Sequence, residues 1–220
     1  MNEIEINNNK YPCIINRKSI KKVYFRYIDG AFVINIPNRM RIAELTHMIL
    51  SNQSILSRML VKSKKIRKVN LDEGSMVSLI DKEYTICYGA KPLIDNDKIY
   101  LSENKANKDL ALLAYSALSK IIPQRVAYYY DIMYSDSKYP SIVYRNVQSY
   151  FGQYNARKHQ ISFNIGLAFN RVELIEYVIV HELAHIRYLN HGQEFYRFVS
   201  SVIPNARMLQ KELKREGILL

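Results

Sequence analysis

The sequence has no tryptophan and only two cysteines, Cys13 and Cys87, in 220 residues. Two cysteines cannot build a disulfide framework or a four-thiolate metal cage, and nothing else in the chain suggests secretion. Long apolar runs are also missing; the best candidates are broken by Lys, Arg or Asp before they reach bilayer-spanning length. The opening residues, MNEIEINNNKYPC, carry two acids and no apolar stretch, unlike a signal peptide. No repeat or low-complexity tract is visible. These absences together predict a cytoplasmic protein with no membrane partner.

What is abundant points to a packed core. Hydrophobic residues make up 48% of the chain, and 18 Tyr and 7 Phe recur along its length, which excludes disorder. The length suits one domain, or one larger domain with a smaller companion. The formal net charge is +12, which favours anionic partners such as nucleotides, nucleic acid or acidic lipid surfaces. A general bias toward Lys, Asn, Ile and Tyr gives the same excess, so charge alone does not establish nucleic-acid binding. The densest basic run, Lys62, Lys64, Lys65, Arg67 and Lys68, lies where a helix gives way to a linker and reads as a solvated surface.

Residues 20–36 read as a hairpin, with Val23, Phe25 and Tyr27 alternating against Tyr24 and Arg26, Asp29-Gly30 at the turn and Pro37 as the stop. Residues 41–60 carry a broken helical stripe from Ile42 to Leu60. A second hairpin is expected from Val77 to Ile80 and Tyr84 to Tyr88 about Asp81-Lys82, then a short strand at Lys98 to Leu101. From Asn104 to Met133 the pattern is helical, with Leu110, Leu113, Ala114, Ala117, Leu118 and Ile121 on one side. Pro123 should kink or split that helix. Strands follow at Ile142 to Tyr150 and Gln160 to Ile165, then helices near 171–189, 192–202 and 205–216. This order predicts an α+β fold, with a hairpin-rich N-terminal region over residues 1–102 and a second domain over 103–220.

Five histidines are present, and three lie within eleven residues. The stretch His181-Glu182-Leu183-Ala184-His185 is expected on a helix, because Asn170 with Glu173 suggests a capping box, Phe169 with Leu174 a hydrophobic staple, and Val172, Ile175, Val178 and Ile179 an apolar face. On such a helix His181 and His185 are about 40° apart and about 6 Å apart in rise, so both rings can reach one ion. Glu182 borders that face without competing for the ion, which suits a base acting on metal-bound water. A third ligand is expected at His191. Had the helix continued, His191 would lie roughly 9 Å further along. The chain must therefore stop and turn back, and Asn190 and Gly192 favour the left-handed conformations that end helices. Three imidazoles with an open fourth position suit a catalytic Zn²⁺, which lowers the pKa of bound water from about 15.7 to about 7. No further cofactor site is expected. Tyr150, Tyr154 and Arg145 are candidates for stabilising an oxyanion; His47 and His159 read as bystanders.

With those residues in place, the chain from about Ile142 to Phe198 resembles the YgjP-like metallopeptidase family, a branch of the zincins related to SprT-like proteins. The family pattern there is a strand ending in Arg-Trp-Gly-Ser-Cys, a strand ending in Asn, a helix with His-Glu-Leu-x-His, then Asn-His-Ser-x-x-Phe-Trp. Here the matching residues are Tyr150-Phe151-Gly152-Gln153-Tyr154, Ile161-Ser162-Phe163-Asn164, His181 to His185, and Asn190-His191-Gly192-Gln193-Glu194-Phe195-Tyr196. A weaker likeness covers Asn16-Arg17-Lys18-Ser19 and the hairpin that follows. The resemblance implies a zincin-like fold with His181, His185 and His191 as ligands and Glu182 as the catalytic residue. Of the Arg-Trp-Gly-Ser-Cys motif only Gly152 remains, and Gly192 stands where Ser is usual.

The leading expectation is a zinc-dependent metallopeptidase, with the strand ending at Asn164 binding an extended peptide by edge addition. One alternative is a zinc-dependent nucleoside triphosphate pyrophosphatase or phosphohydrolase, which Lys and Arg around the metal would favour. A second is a non-catalytic nucleic-acid- or protein-binding module with a vestigial metal site, against which Glu182 argues. The oligomeric state is not legible.

Overall fold

In the computed structural model residues 3–28, 30–64, 69–136 and 138–218 are described. Asp29 of the first expected turn, and Lys65, Arg67 and Lys68 of the basic run, fall outside them, as do the side chains of Lys62 and Lys64. The chain divides into two compact units, Met1–Ile66 and Arg67–Leu220.

The first unit joins two hairpins. Strands β1 (Glu3–Ile6) and β2 (Asn9–Lys18) are antiparallel, as are β3 (Tyr24–Ile28) and β4 (Ala31–Pro37), and β2 runs parallel to β4 in the order β1-β2-β4-β3. Gly30, at φ 82°, supplies the left-handed turn residue of the second hairpin. Strict alternation along β4 buries Phe32, Ile34 and Ile36. Helices α1 (Ile42–Ser51) and α2 (Gln53–Lys64) cover them with Leu45, Ile49, Leu56 and Leu60. The stripe breaks at Asn52, and His47 is exposed.

The second unit opens with the same strand arrangement: β5 (Met76–Leu79), β6 (Lys82–Tyr88), β7 (Leu93–Asp95) and β8 (Lys98–Leu101), ordered β5-β6-β8-β7 with β6 parallel to β8. This duplicated topology leaves no trace as a sequence repeat. The boundary expected at residue 102 therefore lies inside the second unit. Its strands bury Val77, Leu79, Ile86, Ile99 and Leu101 in one core with the helices that follow.

Helix α3 (Ala106–Met133) is the spine of that core. Residues 106, 110, 114, 118, 122, 126 and 130 are buried, every fourth position, so the stripe winds slowly around the helix. Ile122, not Ile121, continues it. Pro123 does not split the helix: it sits on the exposed face, where the carbonyl deprived of a partner has water available.

The third sheet is β9 (Ser141–Arg145), β10 (Gly152–Asn155) and β11 (Gln160–Asn164), in the order β10-β11-β9. The strand expected to run to Tyr150 stops at Arg145. The buried Asn164 amide explains this, since it donates to the carbonyls of Val147 and Tyr150 and holds 146–151 as a loop. Gln153 and Tyr154 belong instead to a separate strand. Because β11 is paired on both sides, the edge expected beside Asn164 does not exist; β10 and β9 are the edge strands.

Helices α4 (Val172–Ala184), α5 (Gln193–Val202) and α6 (Ala206–Glu216) complete the unit. Helix α4 is buried on nearly every side, from Leu174 through Ala184. Asn170 does not cap it. Its buried amide donates to Gly166 and Ile218 carbonyls and accepts from the Ile218 N–H, tying the C-terminal segment to the turn before the helix. The first amide of α4, Val172, donates to Asp81 at 3.1 Å. Asp81 sits at the β5–β6 tip, where both Ile80 (φ 51°) and Asp81 (φ 58°) are left-handed, and Ile80 N–H is secured by the Ala168 carbonyl at 2.8 Å. The hairpin tip thus fixes the start of the helix that carries the histidines. Among the described residues no helix is long and apolar enough to cross a membrane.

Two substitutions separate these contacts. Asp81→Ala should cost about 1 kcal/mol, the value of a helix cap, and Asn170→Ala about 2–3 kcal/mol, for several buried bonds lost together. Urea unfolding in chelator checks both; equal and negligible losses would contradict the assignment.

Candidate metal centre

His181 lies in the last turn of α4 and His185 is its C-terminal cap, at φ −67° and ψ −16°. The helix expected to reach residue 189 ends at Ala184. The chain reverses through tight turns: Ile186 N–H bonds the Leu183 carbonyl at 2.9 Å, and Arg187 and Tyr188 bond that of Ala184 at 3.2 and 2.9 Å. No left-handed residue is used. Asn190 is not among the positive-φ residues, and Gly192 is extended at φ −79° and ψ −176°. Gly192 serves instead as the N-cap of α5. The outcome matches the sequence expectation even though the turn chemistry differs: His191 swings back, its Nε2 2.9 Å from His181 Nε2.

One ligand atom from each of His181, His185 and His191 lies within 4.8 Å of the others, a set that can hold a metal ion. Hydrogen bonds on the far side of two rings orient them. His185 Nδ1–H donates to the Tyr188 carbonyl at 2.9 Å, which leaves its Nε2 lone pair free. His181 Nδ1 meets the Tyr177 hydroxyl at 3.2 Å. Beneath all three rings lies Phe195 of α5, buried, with centroids 4.8, 4.7 and 4.7 Å from those of His181, His185 and His191. Burial foremost, with His185, His191 and Lys214 adding, brings the His181 imidazole down to about 3, and burial also lowers His185. Both rings are thereby kept neutral, the form that binds metal. This donor set fits a borderline divalent ion.

Glu182 is buried beside this cluster, and its Oε2 accepts the Tyr154 N–H at 2.8 Å. Burial pushes its carboxyl up to about 7, against the opposing pull of that hydrogen bond. The close approach of β10 to α4 depends on Gly152. A Cβ there would fall 2.6 Å from Glu182 Cγ, 2.7 Å from Val178 Cγ1 and 2.9 Å from Glu182 Oε1. The glycine that this chain shares with the resembled five-residue motif thus has a steric reason to be there. At Gly192 a Cβ would meet nothing within 4 Å.

None of the oxyanion candidates Arg145, Tyr150 and Tyr154 lines the cavity beside Glu182. Arg145 is exposed at the end of β9, and the Tyr150 carbonyl accepts from Asn164. The Tyr154 hydroxyl meets His159 Nδ1 at 2.9 Å, whose Nε2 lies 2.8 Å from the Lys138 carbonyl. His159 is therefore no bystander: it fixes the strand that holds Glu182. The side chains that do border His181 and Glu182 are Phe151, Tyr177 and Gln210, with Leu213 and Lys214, around a cavity of 180 Å³. Sequence reading missed those on α6, since only the fold brings residues 210–214 to residue 181.

The model of the family described as YgjP-like, metallopeptidase domain, matches residues 21–216. No curated protein matches the chain significantly. Among solved structures, the metallopeptidase zymogen abylysin of Pyrococcus abyssi aligns at 19% identity and a TM-score of 0.39, over 46% of this chain and all of that one.

Two outcomes are expected. Gly192→Ser, which restores the family's usual N-cap, should raise stability by a few tenths of a kcal/mol in thermal melts. In metal-free protein, the lowered His181 pKa gives stability that is present above the ordinary value of 6.5 and lost as pH falls toward about 3. His181→Gln should flatten that acid dependence in urea titrations at stepped pH; an unchanged slope would contradict it.

Proposed function

The chain belongs to the YgjP-like metallopeptidase family, and we propose that it is a zinc-dependent peptidase in which His181, His185 and His191 hold the ion and Glu182 is the general base. The observation that carries this reading is the meeting of a converged three-imidazole set with a buried carboxylate one residue along the same helix. When bound, zinc would supply a Lewis acid for the scissile carbonyl and lower the pKa of attacking water. The family membership supports a metal-dependent hydrolase; zinc, the ligand set and the role of Glu182 are the proposed parts.

The chain's own residues do the rest. Phe195 below the three rings, with the Tyr177 contact to His181 and the Tyr188 contact to His185, orients the imidazoles for binding. Glu182 is suited to take a proton from water and return it to the leaving amine, because burial brings its carboxyl close to neutral pH. The Tyr154 N–H aims that carboxylate, and Gly152 leaves room for it. Strand β10 pairs with no strand on its outer side, where the Tyr154 N–H is taken by Glu182, and the rest of that edge is where an extended peptide can lie. We place the zincin-like catalytic domain in the unit Arg67–Leu220, with Met1–Ile66 as a hairpin-rich companion.

The peptide reading is favoured over a nucleotide one by the cavity beside the ion. It is walled by Phe151, Val178 and Leu213 and carries a single cation, Lys214. At 180 Å³ it is smaller than the roughly 300–1,000 Å³ typical of sites for whole small molecules.

Zinc-loaded protein should cleave unfolded protein and leave nucleoside triphosphates intact. Glu182→Gln should keep one zinc per chain and lose at least about 100-fold in turnover. Gly152→Ala should lose a comparable factor with zinc retained, by displacing Glu182. Mass spectrometry of cleavage products and metal analysis check both. Full activity in Glu182→Gln would refute the assigned base.

A further inference from the structure

Two helix faces look at one another across the cavity beside the ion. From α4 come Tyr177, Val178, His181 and Glu182, one turn-to-turn face; from α6 come Gln210, Leu213 and Lys214, at the i, i+3 and i+4 positions that share a face. Leu213 is buried and anchors α6, which leaves Gln210 half-buried and Lys214 exposed at the cavity's rim. The Tyr177 hydroxyl meets His181 Nδ1 at 3.2 Å, and Tyr177 and Gln210 line the same cavity.

A lysine on a helix surface is ordinarily solvated or paired. Lys214 differs in its surroundings. The acid two residues before it, Glu212, is taken by the Arg171 guanidinium at 2.8 Å, and among the described residues Lys214 has no ion-pair partner. The carboxylate of Glu182, which shares the cavity, accepts the Tyr154 N–H through Oε2, and no ion pair joins it to Lys214 among the described residues. An ammonium without a partner, over a side-chain-sized cavity with apolar walls, suits a ligand that has an aliphatic stem and a carboxylate end. Gln210 beside it can donate a further hydrogen bond.

We propose that this cavity is a recognition pocket for a carboxylate, with Lys214 as its specificity-determining residue, so that the preferred substrates are peptides carrying an acidic group next to the scissile bond. The inference rests on the peptidase reading and deepens it. An Asp or Glu side chain enters between Phe151 and Leu213 and places its carboxylate by the Lys214 ammonium and the Gln210 amide. A basic residue at the same position meets like charge and is rejected. The chemistry also admits the terminal carboxylate of a chain, which would make cleavage follow C-termini instead of acidic residues.

The test is a cleavage-site survey with zinc-loaded protein acting on a mixture of unfolded proteins, the cut positions being read by mass spectrometry. Wild type is expected to enrich Asp and Glu about tenfold at one fixed position beside the cut, the size of one favourable charge contact of about 1.4 kcal/mol. Lys214→Met should abolish the enrichment, Lys214→Arg should keep it, and Lys214→Glu should replace it with Lys and Arg at the same position. A second arm compares free and amidated synthetic peptides; cuts confined to the free ones would assign the carboxylate to the C-terminus. The survey reads ratios within each digest, so a general fall in rate does not confuse it. Cleavage with the same residue preferences in wild type and all three variants overturns the pocket while leaving the peptidase intact. No cleavage by zinc-loaded wild type overturns the peptidase reading itself, and the pocket with it.

Discussion

The reversal of the chain between Ala184 and His191 is the constraint on which the site depends. A helix alone brings two imidazoles to one side; a third has to arrive from residues that no longer belong to it. Here the reversal is made by short i→i+3 bonds at Ile186 and Arg187 and secured by the His185 Nδ1–H on the Tyr188 carbonyl. One hydrogen bond therefore serves both the turn and the imidazole, since it closes the loop and selects the tautomer whose Nε2 keeps its lone pair. Phe195, on the first turn of α5, then fills the space under the three rings.

Rigidity upstream of the turn matters equally. Helix α4 is packed on almost all sides, its first amide is capped from the β5–β6 tip, and near its end the Leu183 carbonyl accepts the Tyr134 hydroxyl at 2.8 Å. A helix held at both ends transmits its position to His181 and Glu182 with little play. Strand β10 approaches from the side, close enough that only glycine fits at 152, and its Tyr154 amide reaches the carboxylate. The acid is thus buried and hydrogen-bonded, which suits the proposed role of a base tuned by its surroundings and not by solvent.

Much of this was legible before the fold was known, because it is local. The spacing of His181, Glu182 and His185, the apolar periodicity of α4 and the hairpin alternation of Val23 to Ile36 are all short-range signals. The need for a turn before His191 followed from helix geometry alone. What stayed hidden is long-range. Asp81 caps a helix 91 residues away, Asn170 binds Ile218 instead of its own helix, and Asn164 bends the loop at 147–150 that looked like strand. Pro123 lies inside an unbroken helix because it faces solvent, an orientation set by the winding of the α3 stripe. Gln210 and Lys214 carry no motif at all; only the packing of α6 places them beside His181.

In the proposed function three imidazoles, and no sulfur or carboxylate, grip one ion through their Nε2 atoms. X-ray absorption at the zinc edge of the loaded protein measures this directly. The account predicts a four-coordinate spectrum with three imidazole scatterers at about 2.0–2.1 Å and one further light atom. A sulfur shell at about 2.3 Å, or only two imidazoles in the fit, would contradict it.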